Sequence, residues 1–587
     1  MDWNNINTDR DTSGLGPIEY DQSKVPALIR KHADNVRTKT YGQEVRESLA
    51  RGVEYAGLVS SEATKTAQDT KNRQDVLETY NDQVIAEITD KDIVSAPEII
   101  AARDGEATLN DRLISDKSKV LPITLNVKQP PAGLTPMVGD GVTDDYDAYM
   151  AIVAYINARA NVGGVVYFPK GTYLIDRYKI VGGENANSLT DPVFKDLRNW
   201  SFIGHRAVIK CKGDFTRTYD YDVDTSKRSY RLGVTPLCFE DCDNTYLEGI
   251  SADGSVYDMK KDNGVAEGYN FGLRLNGVRN FVAKDCNFSN FHQDGIGIVC
   301  SFTRKNNGFN EPCRNVYMEN VKAIGNARQG MTIGNLHGGR FKNCAFNRTG
   351  QTGDYGYHLP ISGVDLENDY ADITNPAEPT QNVIFDDCEF LDNLTTFYIH
   401  DNNVKDIIVD GCIMKSTVSA GYNDESIRLN GKKLIFTNNV VDVDKNINVG
   451  GMYEGMEQDI ILSGNHINAN RFICHSSFGG IPSVKRMLFR DNRFILNQFY
   501  AYQSRALSLT SNQIEIKESS KYTDTNHAIN LNSIWISANN DFYTNKKTGM
   551  FIVLYGLTPV DSDVYKTRER LRPEGEINLG TVFYGKG

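Results

Sequence analysis

Four short segments of this chain alternate apolar with polar or small residues: Asp294 to Cys300 (DGIGIVC), Gln329 to Asn335 (QGMTIGN), Ser362 to Asn368 (SGVDLEN) and Thr395 to Asp401 (TTFYIHD). They start 35, 33 and 33 residues apart, and Glu425 to Asn430 (ESIRLN) follows as a fifth. A period of two within each segment predicts a strand, and recurrence at a spacing between about 20 and 50 residues predicts a solenoid. Together they predict a parallel β-helix, each coil buried against the next.

Stacking the segments sorts their side chains. With Ile296, Met331, Val364, Phe397 and Ile427 as one inward row and Ile298, Ile333, Leu366, Ile399 and Leu429 as another, the residues between face outward. One outward column runs Gly297, Thr332, Asp365, Tyr398, Arg428; the other runs Val299, Gly334, Glu367, His400, Asn430. Coils stack roughly 4.8 Å apart and alternate residues of a strand sit roughly 6.6 Å apart, so Asp365, Glu367, Tyr398 and His400 fit one sugar-sized patch. Gly297, Thr332 and Gly334 beside them predict a hollow in which a substrate could rest.

A second set of segments shares Cys or Asn at its third place: Lys284 to Phe288 (KDCNF), Lys342 to Phe346 (KNCAF), Asp386 to Phe390 (DDCEF), Asp410 to Met414 (DGCIM), Thr437 to Val441 (TNNVV), Ser463 to Ile467 (SGNHI), Arg490 to Phe494 (RDNRF) and Thr510 to Ile514 (TSNQI). Read as a second strand family, it stacks Cys286, Cys344, Cys388 and Cys412 inside and continues the row with Asn439, Asn465, Asn492 and Asn512 as an amide ladder. No CxxC pair or Cys/His cluster has metal-ligand spacing, so these thiols read as structural.

At 587 residues, with 50 Gly, 30 Tyr and 25 Phe, the composition suits a large, turn-rich β protein. The net charge of −12 and the lack of a basic stripe argue against a nucleic-acid partner. Ten irregularly spaced cysteines read as reduced, buried thiols, in keeping with synthesis in a reducing cytoplasm. No signal peptide or run of eighteen apolar residues is visible, so no membrane insertion is expected.

Residues 1–118 differ in kind. From Val25 to about Ile93 the chain is polar and nearly free of proline, and Val45, Leu49, Val53, Ala56, Val59 and Ala63 recur at helical spacing. Such a thin, Ala-rich stripe predicts helices that pack against symmetry mates or a larger assembly. Residues 119–136, with Pro122, Pro130, Pro131 and Pro136, read as a linker. A β-helix over 137–540 and a C-terminal cap or tail over 541–587 complete the expected domains.

Gly139 to Asp145 (GDGVTDD), the helical stretch Tyr146 to Ala160, then Gly163 to Thr172 (GGVVYFPKGT) and Tyr173 to Ile175 resemble the opening of the pectate lyase superfamily β-helix of bacteriophage tailspikes. The resemblance implies a single-stranded right-handed parallel β-helix. Its N-terminal cap has Gly139 and Gly141 in a tight turn and Val165 to Phe168 as first strand. Asp140, Asp144 and Asp145 read as capping turns and the helix start. Val36 to Gly57 and the EIIAAR stretch resemble the front of tail appendage proteins from phages of Gram-positive bacteria. This implies a homotrimer on the virion tail, anchored through its N-terminal region to other tail proteins, that binds or cleaves a host surface glycan or teichoic acid. Gly363 to Glu367 (GVDLE) is similar to a GIDxE-like stretch of that family.

Glycoside hydrolysis uses an acid and a base or nucleophile, commonly an Asp/Glu pair. Glu367 is assigned as general acid and Asp365 as base or nucleophile. Tyr398 and His400 orient substrate or shuttle a proton, and Arg428 holds an anionic group. Two loops, Arg348 to Pro360 and Asn368 to Gln381, flank the carboxylate strand. Tyr355 and Tyr357 are sugar platforms, Asp354 and His358 are further substrate contacts, and Asp294, near His292, lies at the rim. Three classes stay open: a depolymerase, a lyase with His400 or Tyr398 as base beside an Arg428-neutralised uronate, and a receptor-binding spike without catalysis. No cofactor is expected, except a divalent cation on Asp365, Glu367 and Asp354 if the substrate is a teichoic acid phosphodiester.

Overall fold

The computed structural model describes residues 123–181, 191–212, 230–258, 270–352, 357, 359–367, 378–399, 404–418, 424–450, 458–475, 477–478, 481–482, 484–502, 507–517, 529–532, 536–538, 541–544, 552–555 and 570–573, with isolated positions before these. The chain divides into two units, 1–121 and 122–587. In the first, only residues 29, 31, 33, 34, 50 and 54 are described, all helical. The rest of the expected helical region lies outside the described residues.

The second unit is a single-stranded right-handed parallel β-helix whose wall strands pair in parallel with their counterparts in adjacent coils. Three sheets form its walls. The first contains Phe271–Asn276, Asp294–Val299, Gln329–Ile333, Ser362–Leu366, Thr395–Ile399, Glu425–Leu429 and Asn446–Val449. The second includes Arg279–Lys284, Cys313–Glu319, Leu336–Lys342, Gln381–Asp386, Lys405–Asp410, Lys433–Thr437 and Gln458–Ser463. The third includes Asn287–Ser289, Lys322–Ile324, Ala345–Asn347, Glu389–Leu391, Ile413–Ser416 and Val440–Val443. Inward residues of all three merge into one core running from Leu125 to Ile514.

The segments expected as one Cys/Asn strand family are corners between the second and third sheets. Asp285, Asn320, Asn343, Asp387, Gly411, Asn438, Gly464, Asp491 and Ser511 hold φ between 50° and 69°. This left-handed region favours Gly, Asn and Asp, whose short side chains bond locally. The residue after each bend points inward and is buried, which explains the Cys and Asn at that place. The asparagines form the expected ladder: Asn439 Nδ2 donates to Asn465 Oδ1 at 3.0 Å, Asn465 to Asn492 at 2.8 Å and Asn492 to Asn512 at 3.0 Å. Each also donates to a carbonyl of the preceding coil, and Asn465 Oδ1 accepts the Asn439 N–H at 2.9 Å. All ten cysteines are buried. Burial pushes the Cys286 and Cys313 thiols up to about 12, so they stay protonated.

At the N-terminal end, helix Tyr146–Asn157 closes the barrel with Tyr149, Ile152, Val153 and Ile156 in the common core. Gly139 and Gly141 have positive φ, 64° and 80°. A Cβ on Gly139 would meet the Tyr173 ring at 2.7 Å, so the turn requires glycine. Asp140 accepts the Val142 and Thr143 N–H groups, and Asp144 accepts that of Tyr146 at 3.1 Å. Asp145 stands at the helix N-cap, but its carboxylate accepts from Val138 and Gly139 instead of capping the helix. Burial raises its pKa.

Two expected boundaries move. Ile123–Asn126, placed in the linker, pairs in parallel with Gly164–Tyr167 and buries Leu125, so Val165 to Phe168 is not the first strand. The apolar alternation of this short strand is masked in sequence by the prolines around it. Beyond 540, Asp541–Thr544, Ile552–Tyr555 and Arg570–Pro573 continue the parallel pairing, so coils extend into the expected tail.

Stacking identical amides inside a barrel makes each one support its neighbour. Asn465→Ala removes donors and acceptors from two adjacent coils and is expected to lower unfolding free energy by about 2–4 kcal/mol in denaturant titration. Asn280→Gly, at an exposed corner where the Asn280 amide donates to Asn244 Oδ1 at 3.0 Å, should change it by less than about 1 kcal/mol.

Candidate functional site

The outer face of the first sheet carries the candidate site, and its register matches the expected column. Gly297 pairs with Thr332, Thr332 with Asp365, Asp365 with Tyr398 and Tyr398 with Arg428. The second column is supported by the Gly334 N–H bonded to the Ile298 carbonyl and the Glu367 N–H bonded to the Ile333 carbonyl, at 2.8 and 2.9 Å. His400, Asp354, Tyr355 and His358 lie outside the described residues. Tyr357 is exposed on the loop before the carboxylate strand.

A third outward column was missed in the sequence. Ideal alternation turns residues i and i+3 to opposite faces, yet Glu425 binds Arg428 with two bonds of 2.7 Å, and Asp294, Gln329 and Thr332 meet on one face. A bend after the first residue of each strand causes this. Gly295, Gly330 and Gly363 stack there, and a Cβ on Gly330 would meet the Gly363 carbonyl oxygen at 2.4 Å. That row of glycines was the available signal.

The bend builds a polar network. Gln329 Nε2 donates to Asp365 Oδ2 at 2.9 Å and to Glu367 Oε1 at 3.4 Å. These two contacts cap the distance between Asp365 Oδ2 and Glu367 Oε1 at their sum, about 6.3 Å. Thr332 donates to Asp294 at 3.0 Å and also binds Gln329 Oε1. Arg328 forms a 2.8 Å ion pair with Asp294 and stands 4.0 Å from Glu367. Three carboxylates thus share one guanidinium and one amide. Asp294 belongs to this network, and its expected companion His292 instead faces the Gly233 N–H at 3.2 Å.

Several expectations about exposure are corrected. Asp365, Tyr398 and Arg428 are 2%, 3% and 6% exposed, so the column lies outside the barrel but is covered. Glu367 is the carboxylate that solvent reaches, with 23% of its side chain exposed. The hollow predicted at Gly297 is filled, because the Phe271 ring occupies the space of the missing side chain. Arg428 is not poised for an anion: its bidentate pair with Glu425 neutralises it, and its guanidinium lies over the Tyr398 ring at 4.6 Å. The lyase class loses its uronate neutraliser.

The carboxylate strand is entered from Ile361, a buried β-branched residue with φ of 61°. Such a conformation costs roughly 1–2 kcal/mol and persists only where surroundings enforce it, as they do at functional sites. Among the described residues no group of three or more His, Cys, Asp or Glu side chains is placed to hold a metal ion. No described helix is long and apolar enough to cross a membrane.

No protein-family model matches the chain, and no curated protein does. Among solved structures, it is similar to the Streptococcus pneumoniae surface adhesin PfbA, at 13% identity over 75% of this chain and 96% of that one, with a TM-score of 0.43. It is similar to the tailspike of E. coli bacteriophage HK620, solved in complex with a hexasaccharide, at 11% identity over 82% and 83% of the two chains, with a TM-score of 0.44. It is also similar to the A-module of an Azotobacter vinelandii mannuronan C-5 epimerase, at 13% identity over 77% and 96%, with a TM-score of 0.34.

Arg328 joins two of the three carboxylates. Arg328→Met, which takes the guanidinium from beside buried Asp294, is expected to lower unfolding free energy by about 3–5 kcal/mol. Adding Asp294→Asn should recover part of that loss; strictly additive losses in the double-mutant cycle would show that the two side chains are not coupled.

Proposed function

We propose that the chain is a phage tail spike that binds a host cell-surface glycan and depolymerises it by carboxylate-assisted hydrolysis during adsorption. The observation that carries this reading is the single Gln329 amide bonded to both Asp365 and Glu367. It holds two carboxylates on one face at a fixed, short separation, the arrangement that glycoside hydrolysis needs.

Glu367, the more exposed, donates a proton to the glycosidic oxygen. Asp365, fixed by Gln329, attacks the anomeric carbon, and Glu367 then deprotonates the water that releases the sugar. Glu367 lies 4.0 Å from the Arg328 guanidinium and is the more solvent-accessible of the two, which suits it to meet an incoming chain.

The burial of Asp365 and Tyr398 favours a second reading, a receptor-binding spike in which this network only stiffens the wall. The two separate on product size. Incubation with capsule, exopolysaccharide and wall teichoic acid should shorten one of them with retention of anomeric configuration. Glu367→Gln should slow that cleavage by about 10²-fold or more while binding persists, and Asp365→Asn should do likewise. Unchanged cleavage in both variants would remove this pair from the chemistry, and binding without any shortening would favour the second reading.

Assembly as a homotrimer on the virion tail belongs to the same proposal. The second sheet carries a solvent-facing row of Ile384, Ile408, Ile435 and Ile461, in register over four coils and lining a groove of about 320 Å³. Ion pairs of Lys433 with Asp406 and of Arg486 with Asp459 rim it. An apolar strip with a charged rim has the anatomy of an interface between copies. Ile435→Asp is expected to lower the mass seen by sedimentation toward that of one chain, whereas an unchanged mass would place the interface elsewhere.

A further inference from the structure

A second arginine stands on the same wall as Arg428. Arg274 lies three coils from Asp365 in one outward column, through the register pairs Arg274 with Gly297, Gly297 with Thr332 and Thr332 with Asp365. At roughly 4.8 Å per coil this is roughly 14 Å, a span of several sugar rings.

The three arginines facing outward here differ in charge balance. Arg428 is bonded to Glu425, and Arg328 to Asp294. Among the described residues no carboxylate pairs with Arg274. Its Nε donates to Asn276 Oδ1 at 3.0 Å, which restrains the guanidinium and engages one of its five N–H donors. Its Cζ stands 5.2 Å from the Phe271 ring and 5.6 Å from the Phe302 ring. Phe302 is 42% exposed, and Arg274 is half-buried on a wall whose neighbouring outward residues are buried. A positioned guanidinium beside an exposed aromatic face offers a charge for an anion and an apolar platform for a ring.

We propose that Arg274, with Phe302, is a subsite that binds a negatively charged substituent, carboxylate or phosphate, on a residue of the glycan chain several rings from the Asp365 and Glu367 pair. This rests on the glycan-binding part of the proposed function and not on its catalytic part. In a chain with a net charge of −12, such a site gives an acidic polymer a specific foothold that long-range attraction does not supply.

Saturation-transfer NMR with glucuronate, methyl phosphate and glucose as probes tests this directly on the full chain, using wild type, Arg274→Gln and Arg274→Lys. Wild type should contact glucuronate or methyl phosphate more strongly than glucose. Arg274→Gln should weaken that contact by about tenfold or more, and Arg274→Lys, which keeps the charge, should retain part of it. Equal contact with the anions in wild type and Arg274→Gln, or no preference for them over glucose in wild type, would overturn the subsite. Glu367→Gln should leave the anion contact intact, so that failure of the hydrolytic reading is distinguishable from failure of this one.

Discussion

Registration between coils is the constraint on which the rest depends. In a parallel β-helix every outward side chain sits above and below the equivalent position of its neighbours, at a spacing set by backbone hydrogen bonds. A feature that recurs along the sequence therefore becomes a line on the surface or in the core. The asparagine ladder, the left-handed corners and the stacked glycines of the first sheet are three such lines, and each is kept because a one-residue slip would turn its side chains to the wrong side. The ladder also shows how a large β protein keeps polar groups inside: Asn465 meets its own carbonyl contact and both neighbouring amides, so no amide is left to bear its desolvation alone.

The same constraint produces the candidate site. The glycine bend turns Asp294 and Gln329 onto the face that already carries Thr332, Asp365 and Glu367, and the five side chains close into one network with Arg328. A carboxylate pair held by a shared amide is rigid before any substrate arrives, which is what positioned acid and nucleophile groups require. Further along the wall, charge is cancelled at Arg428, whereas among the described residues no carboxylate meets Arg274.

Much of this was legible in the sequence, and the reasons for the rest are physical. The inward rows and the column from Gly297 to Arg428 follow from period-two alternation and a spacing near 33 residues, and the register agrees at every pair. The corners were misread as strands because Asp285 to Phe288 alternates like a strand while its first residue is in the left-handed region. Gln329 and Arg328 escaped notice because ideal alternation puts position 329 inside; only the stacked glycines signal the bend that reverses it. Exposure was overestimated because spacing gives the face of a sheet and not what lies over it, and Arg428 was misjudged because its partner Glu425 is related by the same bend.

One amide on the outer wall of the first sheet joins the two carboxylates. A crystal structure of the full chain tests it most directly. Gln329 Nε2 is expected within hydrogen-bond reach of both Asp365 and Glu367, at distances near 2.9 and 3.4 Å, with Arg328 on Asp294. Gln329 packed inside the barrel, or Asp365 and Glu367 turned to different walls, would contradict it.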